Sequence, residues 1–387
     1  MDGHIIHHAN SGGDEYLVMT GGKNVAWPLL FFFLLLCGCS NTKQSADGIR
    51  VVDVTQIHSE PILYIDKEIV SVELIPLETN DEFLCGGKVV TFTDEIIVYR
   101  NDRNGDILLF DRKGKALKKI NRQGQGNEEY IFCRNIVYDD ANKELFIDCW
   151  VSGKIVVYDL EGNFKRSFPQ HNNRGALPEM ENYDEESLIR YVRKGGEPSI
   201  FLISKQTGEK ICDIMIPHEK RLSTDETGIG RGKTLVKAGN EFIISEPSLD
   251  TVYRLNPRES VLHAILYRTP PINTMNVPVF LLPAMKFGHF LFMFYKAKDN
   301  DLIQQHHPTN SLIYDWRDGI MYDLTLSKKL SWAGNSVSAV HDTRNNVFLI
   351  EYAAENVKGW EEGEWKEITA NLKEDDNPVV AIVVLKE

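Results

Sequence analysis

Residues 122–130 read RQGQGNEEY: an arginine, two glycines, two glutamates and a tyrosine within nine positions. Three roles fit that composition. A glycine loop that opens a helix cradles phosphate, because backbone N–H groups and the helix dipole then face the anion. A loop without a helix can instead present Arg122, Gln125, Glu128 and Tyr130 to a ligand. The third role is a tight turn, in which Gly124 and Gly126 supply backbone angles that other residues resist, Tyr130 packs and Arg122 pairs with a glutamate. The phosphate cradle fails for want of a helix. IFCRNIVYDD, from Ile131, has strand chemistry, and Glu128 and Glu129 repel an anion. Turn and ligand site both stay open.

Other chemistry-bearing residues are sparser. DRNGD (102–106) is flavoured like a calcium loop but lacks the remaining ligands and the distal glutamate, so a hairpin turn is expected. His306 and His307 are adjacent, and neighbours on a strand point to opposite faces, so HHPTN is expected to be a solvated loop. GWEEGEWKE (359–367) sets Trp360 and Trp365 among acids. Exposed, they would stack on a sugar or clasp a peptide; buried, they would anchor an insertion. No Gly-x-Ser-x-Gly elbow, His-Glu-x-x-His helix or Walker loop occurs. The sequence therefore nominates no catalytic residue, metal ligand or cofactor.

The front of the chain carries a different chemistry. Leu29 to Leu36 form an unbroken apolar run, too short for a spanning helix, which takes roughly 20 residues, but suited to the core of a signal peptide. Leu36-Cys37-Gly38-Cys39 resembles a bacterial lipobox, which implies cleavage before Cys39 and acylation of it. The alternative is an ordinary signal peptide with two incidental cysteines. Under the lipobox reading, residues 1–38 are removed and 39–48 form a lipid-anchored tether. The first 18 residues are acidic where a signal peptide should be positive, so translation is expected to begin at Met19, with Lys23 supplying charge.

Loss of Asp2, Asp14, Glu15 and Lys23 with that peptide moves the formal charge from −13 to −11. A domain this acidic repels nucleic acid and anionic head groups, and no Lys/Arg cluster is expected to form a basic groove. Cys85, Cys133, Cys149 and Cys212 remain, with no C-x-x-C pair, so a zinc knuckle is not expected and free thiols are.

The elements that must position these residues come from a repeat. A turn followed by a dense β-type run recurs six times, with the apolar runs opening at Ile96, Leu145, Leu188, Phe242, Phe290 and Val347. Their spacing is 43 to 57 residues. A second hairpin follows at 107–120, 155–168, 200–214 and 311–324, with a looser copy at 251–265. Two hairpins per unit make four antiparallel strands, the size of a propeller blade. The expected fold is all-β: a six-bladed β-propeller of four-stranded antiparallel blades over residues 49–387. NPVVAIVVL (377–385) and IVSVELIPL (69–77) are expected to share one blade and close the ring, removing an exposed edge. RQGQGNEEY then falls in the crossover between blades one and two, on a face where propellers bind ligands.

Four features together resemble the six-bladed β-propeller lipoproteins of Bacteroidota: the lipobox, VELIPLETND (72–81), FDRKGKALKKINRQGQGNEEY (110–130) and DNPVVAIVVL (376–385). The family's Gly-x-Gly-Pro-x-Glu-Tyr has Asn127 here in place of proline, which implies a less rigid turn. The resemblance implies the propeller and a cell-envelope location, and it brings no reaction and no catalytic residues. The expected protein is an exported, lipid-anchored, monomeric binding or scaffold module for a protein, peptide or glycan of the envelope. It is expected on the periplasmic side of the outer membrane, held to the membrane by lipid alone. The alternative function is an enzyme resembling propeller lactonases or lyases, with a metal in the central channel.

Overall fold

The computed structural model describes residues 42–44, 49–56, 61–102, 104–131, 133–149, 151–171, 178–194, 197–217, 233–297, 309–325, 336–339, 346–358 and 364–386. The expected signal peptide, Met19, Cys39, His306, His307 and Trp360 lie outside the described residues.

The chain forms six sheets in a ring, a six-bladed β-propeller. Blade one is built from Gly87–Phe92, Ile96–Asn101, Ile107–Asp111 and Ala116–Ile120, paired antiparallel in that order. Blade two uses Cys133–Asp139, Glu144–Cys149, Lys154–Asp159 and Phe164–Pro169. Blade three uses Glu179–Asn182, Ser187–Lys194, Glu197–Ser204 and Lys210–Ile214. The first strands of consecutive blades touch in a closed cycle, and that of blade six (Ser336–Ala339) meets that of blade one. The expected repeat starts fall on or beside the start of the second strand of every blade.

Both faces of a blade are covered by its neighbours, which is why the strands read as continuous apolar runs rather than alternating ones. Ile96 to Tyr99 are all buried, and one apolar cluster fills each interface between blades. The crossing of Ile97, Leu108 and Phe110 with Val380 and Ile382 seals the seam between blade one and blade six.

Closure takes the expected form. The last strand, Val379–Leu385, lies between Val347–Tyr352 and an N-terminal strand, and all pairings are antiparallel. Asn377 bolts the seam: its side chain accepts the Cys85 N–H at 2.8 Å and donates to the carbonyls of Glu78 and Phe83 at 2.7 Å each.

The N-terminal segment does more than close the ring. Among the described residues, four strands precede blade one: β1 (Thr42–Gln44), β2 (Arg50–Asp53), β3 (Ile62–Tyr64) and β4 (Ile69–Pro76). β2 adds parallel to the fourth strand of blade four (Val261–Thr269), and β1 adds outside β2. β3 adds parallel to the fourth strand of blade five (Ile320–Thr325), and β4 is the outermost strand of blade six. The chain thus belts the rim of three successive blades. Blades four and five become six- and five-stranded, in place of the expected four, and part of the expected 39–48 tether is strand β1. Arg50 lies against the turn of blade five at Gly319, whose φ of +72° and crowding by the guanidinium leave no room for a Cβ.

Basic side chains do gather at one place on the rim, on a hairpin rather than in a groove. Arg112, Lys113, Lys115, Lys118 and Lys119 share the outer hairpin of blade one, and all four lysines are exposed. Charge on an edge strand discourages pairing with another chain.

Candidate functional site

The 121–132 crossover connects the outermost strand of blade one to the innermost of blade two, as its sequence position implies. Its backbone closes on itself. Gly124 N–H donates to Tyr130 O at 2.9 Å, Tyr130 N–H to Arg122 O at 3.0 Å and Glu129 N–H to Gly126 O at 3.1 Å. Blade two clamps it from below: Lys154 Nζ donates to the carbonyls of Gly126 and Asn127 at 2.6 and 3.0 Å, and the Tyr158 hydroxyl donates to Glu128 O. Asn127, where the resembled family has proline, is therefore held by its carbonyl.

The four expected contact residues separate. Arg122, Gln125 and Glu128 are exposed. Arg122 reaches Gly162 O at 3.3 Å through Nη2 rather than a glutamate. Tyr130 is fully buried, with its hydroxyl donating to Gly105 O at 2.8 Å and its ring edge-on to Tyr158. Burial pushes the Tyr130 hydroxyl pKa well above its ordinary value. Tyr130 therefore supports the loop from inside and is not a rim contact.

The glycines have a different cause from the expected one. Neither Gly124 nor Gly126 has positive φ. Instead a Cβ on Gly124 would stand 2.0 Å from Glu129 Oε2, the oxygen that accepts the Gly126 N–H at 2.8 Å. The space beside Gly124 is taken by the Glu129 carboxylate folded back over the loop, which an added Cβ would have to displace. Glu129 is the residue the sequence reading missed, although it lies three positions from the amide it accepts.

A second constellation follows the inner strands. Their channel-facing edges have backbone groups that no fifth strand satisfies, and carboxylates from adjoining blades fill in. Glu351 of blade six accepts the Val89 N–H of blade one at 2.9 Å, and Glu179 of blade three accepts Thr234 and Leu235 N–H at 2.8 Å each. Burial pushes the Glu351 carboxyl up to about 7, against the opposing pull of the Val89 N–H and Lys88. Burial likewise raises Glu179. Lys88, Arg100 and Lys233 surround this edge, with Arg100 paired to Asp102 at 2.7 Å and Lys233 at 3.8 Å from Glu181.

The remaining candidates resolve simply. Residues 102–106 connect two strands of blade one, as the turn reading implies, with Asn104 bonded to Asp106. Trp365 is half-buried against Tyr352, anchoring the 354–378 insertion. Cys85, Cys133, Cys149 and Cys212 are free, and burial raises the Cys149 thiol to about 12.

A family model described as a domain of unknown function, DUF4934, matches residues 49–384 of this ring. The chain belongs to the DUF4934 family. The match runs from beside the start of β2 to the closing strand, so β2, β3 and β4 of the rim belt lie within the DUF4934 domain and β1 lies before it. A Bacteroides fragilis protein predicted to be exported has a similar structure, with a TM-score of 0.62 at 14% identity over 85% of this chain and 98% of that one. A DUF4221 member from Bacteroides vulgatus (TM-score 0.48, 10% identity, 82% and 97% covered) and virginiamycin B lyase from Staphylococcus aureus (0.44, 7%, 81% and 99%) are more distant. The first of these shows the fold alone, and the other two are too distant to bear on function. No curated protein sequence matches the chain significantly.

Proposed function

We propose that this DUF4934 chain is an exported propeller, anchored by lipid on Cys39 to the periplasmic side of the outer membrane. It binds a protein, peptide or glycan of the envelope through the blade one to blade two crossover. The observation that carries the binding role is the contrast within the loop. Its backbone is clamped by Lys154, Tyr158, Tyr130 and Glu129, while Arg122, Gln125 and Glu128 face solvent. A surface fixed before binding loses little conformational entropy on association. Tyr130 belongs to the support of that surface.

The test is capture of crosslinked partners from the native envelope by wild type and by the Arg122→Ala, Gln125→Ala and Glu128→Ala variants. Exposed polar side chains contribute roughly 0–1 kcal/mol to stability, so melting should stay within a few degrees. The reading predicts partner recovery that falls at unchanged melting. Undiminished recovery in all three variants would remove the loop from the binding surface.

A further inference from the structure

We propose that the disc stands on edge on the bilayer, with the rim of blades four and five against the lipid and the 122–130 crossover at the far corner. This rests on the acylation of Cys39 proposed above. β1 begins at Thr42, three residues after Cys39, and three residues reach at most about 10 Å. β1 is no free tether, since Thr42, Lys43 and Gln44 pair with Val52, Val51 and Arg50 of β2, and β2 pairs with blade four. A lipid on Cys39 is therefore held beside the outer edge of blade four.

The belt also shapes that edge. β2 and β1 extend blade four outward by two strand spacings and β3 extends blade five by one, with each spacing about 4.8 Å. Among the described residues, blades one, two and three gain none. A flat surface close to β1 then rests across the raised corner formed by blades four and five. The residues there suit an interface: Ile62 and Tyr64 on β3 are 54% and 48% exposed, and Lys67 Nζ lies 5.6 Å from the Tyr64 ring centroid. An aliphatic chain, a tyrosine and a lysine side by side bury apolar parts in the head-group region while their polar ends stay wet. In a six-membered ring the opposite corner is that of blades one and two, where Lys118 and Lys119 are exposed. Both mouths of the channel and the crossover then face the aqueous compartment.

A benzoylphenylalanine photocrosslinker placed at position 62 or at position 117, on the outer strand of blade one, tests this. The full-length lipoprotein is reconstituted into phosphatidylethanolamine–phosphatidylglycerol vesicles, and Cys39→Ser is fractionated alongside it. The expected result is a lipid adduct at 62 and none at 117, with Cys39→Ser in the soluble fraction. Membrane-bound wild type that gives adducts at both positions, at neither, or at 117 alone overturns the edge-on orientation and leaves the anchor standing; the last outcome would turn the lysine rim to the lipid. Cys39→Ser that stays with the membrane overturns the anchor, and the orientation falls with it.

Discussion

At the scale of single residues, two of the glutamates that hold backbone amides, Glu351 and Glu129, make sharp predictions. Glu351 is buried, and that burial pushes its carboxyl up to about 7 from an ordinary value of 4.5. The folded state keeps this proton while the unfolded chain gives it up, so the group's contribution to stability is full below its ordinary pKa and is lost as pH rises through the folded value. Glu351→Gln keeps an acceptor for the Val89 N–H and removes the titration. Thermal melting from pH 4 to 8 should therefore fall less in the variant. At pH 8 the variant should be the more stable protein, by at most on the order of 3 kcal/mol. Parallel pH curves for the two proteins would contradict the assignment. Glu129 gives a coupling experiment. Gly124→Ala displaces its carboxylate and should cost about 1–2 kcal/mol, yet cost little in a Glu129→Ala background. Additive losses in denaturant titrations would show that Gly124 is there for backbone reasons after all. The sequence exposed the glycines but not their cause, because RQGQGNEEY is equally compatible with positive φ and with a carboxylate folded over the loop.

At the scale of elements, the second and third strands of the blades were legible because both of their faces are buried. LFI in blade two and FLF in blade five leave no polar face to confuse the reading. The first strands were harder to see. Glu179–Asn182 and Ser336–Ala339 are short, and at the channel edge they carry polar groups such as Glu179 and Asn182. The belt was illegible for a different reason. RVVD and ILY are too short to announce strands, and their partners lie about 200 residues and more along the chain. The closing blade was foreseen as a pairing of two apolar strands, but its bolt was not. Asn377 is buried and serves one N–H and two carbonyls. Asn377→Ala leaves all three without that partner and should cost about 2–4 kcal/mol, read as a lower urea midpoint at unchanged slope. A loss below about 0.5 kcal/mol, the usual range of surface changes, would show that the seam holds without it.

At the scale of the whole molecule, the ring and its belt form one device, to which the proposed anchor would attach. Six interlocking apolar interfaces fix the disc, the N-terminal strands bind half its rim, and the crossover between blades one and two presents a clamped polar surface. The proposed place of the disc in the envelope depends above all on Cys39, the residue that would bind it there. The measurement is the mass of the N-terminal peptide of the protein purified from membranes. The predicted result is a chain that begins at Cys39 and carries acyl groups on that residue; an unmodified Cys39, or a mature chain that begins anywhere else, would contradict it.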